Sequence, residues 1–293
     1  MENIIEINNL YKSYNDVHAV NNLSFRVKKG ELFAFLGVNG AGKSTTISIM
    51  CGTLTKDSGE VLINGKNIDH QLVDITKELG VVFQNSVLDN NLTVKDNLYS
   101  RASLYGIYGN AAKKRIEELA EILAFKQIMN RTVGKLSGGQ KRKIDVARAL
   151  LHKPEILILD EPTAGLDPNE RIRFRNLISE LSEDRLVLLS THIVSDIEYI
   201  ANEIWLMKDG EILHKGSIDE LINSMTETVW ECLVPKNRVS DFMEKYKISN
   251  MKSEINQVML RIISHEKPVE NAMRVEASLE DVFLYYFGEK AGD

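Results

Sequence analysis

The sequence predicts an α/β fold with a mainly parallel central sheet. Three continuous apolar runs have the length of strands that are covered on both faces: residues 32–36, 156–159 and 186–189. Segments with helical spacing of apolar residues separate these runs, and such alternation favours a parallel sheet with helices on its faces. With 293 residues, the chain is long enough for one large domain and a small second domain.

The first third of the chain supplies the start of this fold. Alternating apolar and polar residues predict an early strand, and a later buried run leads into a glycine-rich turn and a helix. A short apolar run before Asn64-Gly65 predicts a strand that enters a tight turn. The predicted elements are strands at 4–10, 20–27, 32–36 and 61–63, a turn at 37–42 and a helix at 44–50.

The pattern changes twice in the rest of the chain. Over residues 95–150 apolar residues recur at helical spacing among charges, which predicts a helical insert. The regular pattern breaks after Gly216-Ser217, so we expect one domain over residues 1–217 and a small α+β domain over residues 218–293. The other predicted elements are strands at 156–159, 186–189, 228–234 and 257–263, a hairpin at 205–213, and a helix from Ser278 with a capping box to Asp281.

Composition and charge exclude several classes of protein. Hydrophobic residues make up 43% and charged residues 27%, as expected of a globular chain and not of a disordered one. The formal net charge of −6 argues against a dedicated nucleic-acid binder, which carries a basic field. No run approaches the ~20 apolar residues of a membrane span, and the N-terminus lacks a signal-peptide pattern. Cys51 and Cys232 lack metal-ligand spacing, so we expect two buried thiols in a reducing cytoplasm.

A phosphate-binding pattern, the P-loop, lies between the apolar run at 32–36 and the predicted helix. Its glycines allow backbone N–H groups to turn towards phosphate oxygens, and the helix N-terminus adds partial positive charge. Lys43 can supply a charge to the β- and γ-phosphates, the Ser44 hydroxyl can bind Mg²⁺, and Thr45 can contact another phosphate. The pattern indicates nucleotide binding, but an ATPase, a GTPase or a small-molecule kinase would each fit. Its residues are Gly37, Val38, Asn39, Gly40, Ala41, Gly42, Lys43 and Ser44.

Two carboxylates end the apolar strand at 156–159. In P-loop enzymes an aspartate at this position holds Mg²⁺, and an adjacent carboxylate can polarise a water molecule for attack on the γ-phosphate. We therefore assign Asp160 to the metal and Glu161 to the attacking water as the general base. Taken alone, Asp-Glu-Pro fits an ordinary loop start equally well, and the upstream P-loop favours the catalytic interpretation.

A glycine-rich pentapeptide between these two motifs narrows the choice. Leu136-Ser137-Gly138-Gly139-Gln140 resembles the signature of the ABC ATPase family, and the resemblance covers roughly residues 4–216. Further motifs follow in the family's order. Each has an ordinary structural explanation on its own, so their joint order carries the argument. Gln84 matches the Q-loop, Ala164-Gly165-Leu166-Asp167 the D-loop, His192 the switch histidine, and Tyr14 the aromatic residue that stacks on adenine.

The resemblance implies a P-loop NTPase core that carries an antiparallel β subdomain and a helical subdomain. It also implies an ATP-dependent dimer, either a homodimer or a heterodimer with a paralogous ATPase, in which each subunit completes the other's ATP site. The implied roles are as follows: Ser137, Gly138, Gly139 and Gln140 face the nucleotide of the other subunit, Asp167 lies at the seam, Gln84 contacts Mg²⁺ or the water, and His192 contacts the γ-phosphate.

The end of the chain bears on the type of ABC protein. Residues 275–283 resemble the tail of ATPases that drive ABC-2-type exporters, although a capped packing helix would have the same pattern. We expect an exporter subunit at the cytoplasmic face of the membrane, acting with a separate integral membrane permease through a surface around residues 88–98. The alternative is a soluble ABC ATPase with a single cassette, for example in iron–sulfur assembly. Two-cassette translation factors and coiled-coil chromosome-maintenance proteins do not fit the single signature and short insert.

Overall fold

The chain forms two compact units, which a computed structural model describes over residues 3–28 and 32–288. The first unit comprises Met1–Leu213 and the second His214–Asp293. The domain limits expected from the sequence, 1–217 and 218–293, stay a prediction.

The first unit interleaves strands with helices. Its strands are β1 (Asn3–Tyr14), β2 (Val17–Lys28), β3 (Leu32–Leu36), β4 (Ser58–Ile63), β5 (Lys66–Asn67), β6 (Leu79–Val82), β7 (Ile156–Asp160), β8 (Leu186–Thr191), β9 (Glu203–Lys208) and β10 (Glu211–Gly216), which ends beyond the unit boundary. Its helices are α1 (Lys43–Met50), α2 (Ile68–Ile75), α3 (Val94–Leu104), α4 (Gly109–Ile122), α5 (Gly138–Leu150) and α6 (Pro168–Leu181).

The central sheet has the strand order β10-β9-β3-β8-β7-β6. Strand β3 pairs parallel with β8 and β9, and β7 pairs parallel with β6 and β8, which confirms the mainly parallel α/β core. Every residue of β3, β7 and β8 is buried, so these strands appear in the sequence as continuous apolar runs. Because the carboxyl ends of parallel strands meet at one edge, the loops that follow β3, β6, β7 and β8 lie together there.

A second sheet, in the order β2-β1-β4-β5, is the antiparallel β subdomain that the resemblance implies. Strand β1 continues to Tyr14, whereas the sequence predicted an end at Leu10. Register shifts around Leu10 and the positive φ of Asn9, 47°, interrupt the alternation of apolar and polar residues on which the prediction depended.

Helices α3, α4 and α5 form the predicted helical insert. Leu98, Ile116 and Leu119 are buried, as their helical spacing indicates. Leu104 and Ile122 share that spacing but are 73% and 54% exposed. They are the last residues of α3 and α4, where a side chain has fewer neighbouring helices to pack against.

The second unit is a small α+β fold. Its antiparallel sheet has the order β12-β13-β11-β14, and Cys232, Phe242 and Leu260 are among the residues of its own hydrophobic core. Ser278 and Asp281 form the predicted capping box at the start of the last helix. The elements are α7 (Ile218–Asn223), β11 (Thr228–Pro235), α8 (Val239–Lys245), β12 (Lys247–Ser253), β13 (Gln257–Ser264), β14 (Met273–Val275) and α9 (Leu279–Phe287).

Two further sequence predictions concern the thiols and the membrane. Cys51 and Cys232 are both buried and unpaired, as expected. Across residues 3–28 and 32–288, no helix has the length and apolar character needed to span a membrane.

Candidate functional site

The P-loop connects β3 to α1 at the edge where the parallel strands end. Gly40 and Gly42 have φ values of 85° and 99°, a backbone conformation that residues with a Cβ rarely adopt. A Cβ atom on Gly42 would also lie 2.2 Å from the carbonyl oxygen of Ala19, so a side chain is excluded there on two grounds. Asn39 and Gly40 are exposed, whereas Ala41 and Gly42 are buried. The loop therefore presents backbone to solvent at the start of a helix, which fits phosphate groups.

Lys43, the first residue of α1, is only 5% exposed. Its Nζ donates hydrogen bonds to the carbonyl oxygens of Gly37 at 2.8 Å and Val38 at 3.1 Å, and it lies 3.9 Å from Glu161 Oε1. Burial lowers the pKa of the Lys43 ammonium, and the carboxylates of Glu161 and Asp160 oppose this shift. The Lys43 side chain thus folds back onto the P-loop backbone. Its ammonium group lies beside the carboxylates at the end of β7.

Three oxygen-bearing side chains meet beside the P-loop. Asp160 Oδ1 accepts hydrogen bonds from Ser44 Oγ at 3.1 Å and from Ser190 Oγ at 2.8 Å. Hydroxyl and carboxylate oxygens are the hard donors that Mg²⁺ prefers, so the donor set fits this ion. The sequence predicted Ser44 and Asp160. It missed Ser190, although its place two residues before His192, at the end of a buried strand, was a usable signal.

Glu161 and His192 form a pair next to this cluster. His192 Nδ1 lies 3.0 Å from Glu161 Oε1, and the glutamate is 4% exposed while the histidine remains exposed. Glu161 has a φ of 46°, and its backbone N–H donates to the carbonyl oxygen of Ser190 at 2.9 Å. A left-handed backbone at a residue other than glycine is strained, and such strain concentrates at functional sites.

The predicted signature residues lie at a second location. Ser137 is the N-cap of α5, and a capping box links its side chain and backbone to Gln140. A Cβ on Gly139 would come within 2.2 Å of a carboxylate oxygen of Glu170, near the start of α6. Asp167 caps α6 by accepting from the Glu170 N–H at 2.9 Å. The signature and the D-loop are therefore neighbours.

In the described part of the chain, no hydrogen bond or ion pair joins residues 137–140 to residues 37–45. The start of α5 is exposed at Ser137 and Gly138, and a helix N-terminus can bind an anion.

Three further predicted residues differ in their exposure. Tyr14, at the end of β1, is 47% exposed, and Lys12 Nζ lies 5.6 Å from the centre of its ring. Gln84 is exposed in the loop after β6, and Thr45 is half-buried in α1. An aromatic face with an open side can stack on a base.

Arg142 is a buried residue of this region that was not predicted from the sequence. It is 6% exposed and reaches from α5 to the loops that follow β6 and β7. Its neighbours in the sequence are lysines, and a run of three cations is usually a solvated helix face. The apolar residues Val146 and Ala149, which follow Arg142 at the helical spacings of four and seven, were the available signal of an inward side.

Comparison with known proteins gives consistent matches. A family described as ABC transporter matches residues 20–164. The bacitracin transport ATP-binding protein BcrA of Bacillus licheniformis is 34% identical over 98% of this chain and 98% of its own length. The Nod factor export ATP-binding protein I of Burkholderia pseudomallei is 31% identical over 99% of this chain and 98% of its own.

Solved structures match about three quarters of the chain. The structure of cbiO1 from Clostridium perfringens, part of the ABC transporter complex cbiONQ, has a TM-score of 0.70 and 28% identity, and covers 76% of this chain and 92% of its own. A dimeric ATP-binding cassette in a post-hydrolysis state, bound to ADP and Pi, has a TM-score of 0.67 and 27% identity, and covers 73% of this chain and 98% of its own.

Proposed function

This chain belongs to the family of ABC transporter ATP-binding proteins, and we propose that it drives the export of a substrate through a separate membrane permease. It is an ATPase of this family, with an α/β P-loop core. The observation that supports the proposal best is the cluster formed by Lys43, Asp160, Glu161 and His192 beside the P-loop.

We assign the hydrolytic step to Glu161. Its buried carboxylate can accept the proton of a water molecule that attacks the γ-phosphate. His192 contacts this carboxylate through Nδ1. In the imidazolium form, which carries an N–H on both ring nitrogens, it would donate from Nδ1 to Glu161 and from Nε2 to a phosphate oxygen that gains charge in the transition state. Lys43 and the backbone N–H groups of the P-loop bind and orient the phosphates.

We assign Mg²⁺ to Ser44 and Asp160, with Gln84 as a further ligand or water contact. Bound there, the ion would neutralise charge on the β- and γ-phosphates. Tyr14 stacks on adenine in this proposal, and Thr45 contacts a phosphate.

A dimer completes the proposed site. The start of α5 would face the nucleotide of a second subunit, because no hydrogen bond or ion pair among the described residues joins it to its own P-loop. The residues involved would be Ser137, Gly138, Gly139 and Gln140. Asp167 would lie at the seam. The second subunit is either another copy of this chain or a paralogous ATPase. All the motifs are intact in this chain, which favours two active ATP sites in a homodimer.

Replacement of the base tests the hydrolytic proposal. In Glu161→Gln we expect turnover to fall about a hundredfold or more, because the amide cannot accept the proton. ATP binding and an ATP-dependent dimer should persist, which equilibrium binding and size-exclusion chromatography would measure. Glu180→Gln, the same change at an exposed position of α6, should retain full activity. Turnover that survives in Glu161→Gln would contradict the base assignment.

Export is supported by relatives whose names include bacitracin transport and Nod factor export. We place the subunit at the cytoplasmic face of the membrane, with a permease docked around residues 88–98. Affinity purification of the tagged chain from membranes tests this. Recovery of a polytopic membrane protein is expected, whereas recovery with soluble iron–sulfur assembly proteins would support the alternative.

A further inference from the structure

One guanidinium group joins the loops that follow two neighbouring strands. Arg142 lies in the second turn of α5, and its five N–H donors all point to backbone carbonyl oxygens. Nη1 donates to the loop after β6, while Nε and Nη2 donate to the end of β7 and the loop that follows it. The hydrogen bonds are Nη1 to Phe83 O at 2.6 Å and Gln84 O at 3.5 Å, Nη2 to Asp160 O at 3.2 Å and Glu161 O at 2.7 Å, and Nε to Pro162 O at 2.6 Å.

This arrangement needs an arginine. Arg142 is buried, and a buried cation costs several kcal/mol unless its donors are satisfied. Burial lowers the pKa of the guanidinium, while the nearby carboxylates of Asp145, Asp160 and Glu161 oppose the shift. A planar fork with five donors can serve two loops at once, whereas the ammonium of a lysine has three donors on one atom.

The contacts are concentrated at the strained residue. Glu161 has a φ of 46°, and the carbonyl oxygens of residues 160, 161 and 162 turn towards the same side. Three dipoles that converge in this way repel each other unless a cation lies between them. Arg142 supplies that cation and so stabilises the backbone conformation that directs the Glu161 side chain.

The same helix begins at the signature. Ser137 caps α5, and Arg142 follows five residues later, about 7.5 Å along the helix axis. One side chain thereby connects the start of α5 to the Q-loop residue Gln84 and to the proposed base Glu161. A displacement of α5 would pull on both loops.

We propose that Arg142 is a positioning residue that holds the Glu161 carboxylate in its reactive orientation only while α5 is packed against the loops after β6 and β7. This inference rests on the proposed function of Glu161. It makes the position of the signature helix a condition for hydrolysis within the same subunit, in addition to any contact that the helix makes with a nucleotide of another subunit.

The full chain offers a matched control for the test. Arg115 also binds carbonyl oxygens of α5 and its C-cap, Leu150 at 2.6 Å and Leu151 at 3.2 Å, but at the end away from the site. Both Arg142→Gln and Arg115→Gln therefore remove hydrogen bonds between an arginine and backbone carbonyl oxygens, and both sets of bonds attach α5 to its surroundings. Only the first should change the geometry at Glu161.

The kinetic readout is the turnover of ATP against its binding. In Arg142→Gln we expect kcat to fall about tenfold or more while the Kd for ATP changes less than about threefold, since the phosphate contacts are intact. Arg115→Gln should keep both constants. An unchanged kcat in Arg142→Gln, a parallel loss of ATP affinity, or an equal loss of kcat in Arg115→Gln would overturn the proposal.

A second readout does not depend on hydrolysis. Amide hydrogen exchange should accelerate at residues 83–87 and 160–164 in Arg142→Gln and not in Arg115→Gln. If this occurs in a chain that lacks ATP turnover, the proposed function fails and the structural link stands; exchange that stays at the wild-type rate in both segments refutes the link. Should Arg142→Gln not fold, Arg142→Lys retains the buried charge, and the same kcat and exchange criteria apply to it.

Discussion

At the scale of single residues, the geometry of the site depends on whether hydrogen bonds offset the backbone strain at Glu161. A left-handed backbone at a residue other than glycine costs roughly 1–2 kcal/mol. Hydrogen bonds to a charged group contribute about 1.5–3 kcal/mol each, so the contacts of Arg142 with residues 160–162 are large enough to offset that strain. The proposed general base is thus stabilised by a residue that is not among the proposed nucleotide contacts.

His152 is a second residue whose surroundings have a measurable consequence. Its ring stacks on Tyr105 at 3.9 Å, and its Nε2 lies 3.1 Å from the carbonyl oxygen of Leu79. Burial lowers the pKa of His152 from 6.5 to about 4, and the cations of Arg101 and Arg115 add to this. Nδ1 is buried without a hydrogen-bond partner among the described residues, so protonation there would be unfavourable.

The pH dependence of stability follows from this shift. Between the ordinary pKa of 6.5 and the folded-state value of about 4, the unfolded chain binds the proton and the folded chain does not. The stabilising effect of neutral His152 is therefore complete above pH 6.5 and is lost as the pH falls towards 4. We expect the free energy of unfolding, measured with urea at about pH 7 and about pH 4.5, to fall more in the wild type than in His152→Gln. Equal falls in both proteins would contradict this.

The sequence predicted most of the site because its residues follow strand ends. Asp160 comes directly after one buried apolar run, His192 lies three residues after the next, and Lys43 follows the turn that comes after another. Parallel strands bring these positions together at one edge of the sheet. Arg142 escaped prediction because its role depends on five backbone carbonyl oxygens, which have no identity in a sequence. Its neighbours Lys141 and Lys143 made it resemble part of a solvated helix face.

At the scale of elements, the serine that caps α5 is also a residue of the proposed signature. Ser137 Oγ accepts from the Gln140 N–H at 3.2 Å, and Ser217 Oγ accepts from the Glu220 N–H at 3.3 Å in an equivalent capping box at α7. The two serines therefore form a matched pair. One lies in the proposed signature and the other does not.

Alanine at each cap separates the two effects. Ser137→Ala and Ser217→Ala should each lower the free energy of unfolding by about 1 kcal/mol, because each leaves a helix N–H without its cap. Only Ser137→Ala should also reduce ATP turnover, since that hydroxyl faces the nucleotide of the second subunit in the proposed dimer. Steady-state kinetics and urea unfolding measure both quantities; an equal effect of the two variants on turnover would count against the signature assignment.

Strands that form long apolar runs were predictable from the sequence. Short strands that exist only through pairing with a neighbouring strand were not. Strands β3, β7 and β8 are buried along their whole length and therefore conspicuous. Strand β5 has only two residues and β14 only three, too few to show an alternation. Both exist because an adjacent strand offers hydrogen-bond partners, which is a tertiary property.

At the scale of the whole molecule, the second unit has its own ion-pair network. Arg261 binds the buried carboxylate of Asp281 at 2.7 Å and Glu231 at 2.9 Å. Burial alone would raise the pKa of Asp281, but the hydrogen bonds from Arg261, Ser249 and Ser278 bring it below its ordinary value. The carboxylate thus remains charged and depends on its partners.

Loss of Arg261 should affect one unit and not the other. In Arg261→Ala the buried Asp281 charge loses its main partner. The cost should be below the about 3–5 kcal/mol of a fully buried pair, because the Arg261 side chain is 21% exposed. Calorimetry of the full chain should show a lower Tm for the unfolding transition of the second unit. The ATPase rate, measured at temperatures below that transition, should be unchanged. Arg238→Ala, at an exposed pair in the same unit, should shift neither. A matching loss of ATPase activity in Arg261→Ala would show that the units do not act separately.

The burial of both native cysteines makes the molecule suitable for site-specific fluorescent labelling. Thiolates react with maleimides, and burial raises the pKa of Cys51 to about 12 and that of Cys232 above its ordinary value, so both thiols are poorly reactive. A new cysteine at Tyr199 or Met273, which are 74% and 69% exposed, would react selectively in the unmodified background. A donor and an acceptor dye attached at these two positions would follow the distance between the units through the nucleotide cycle.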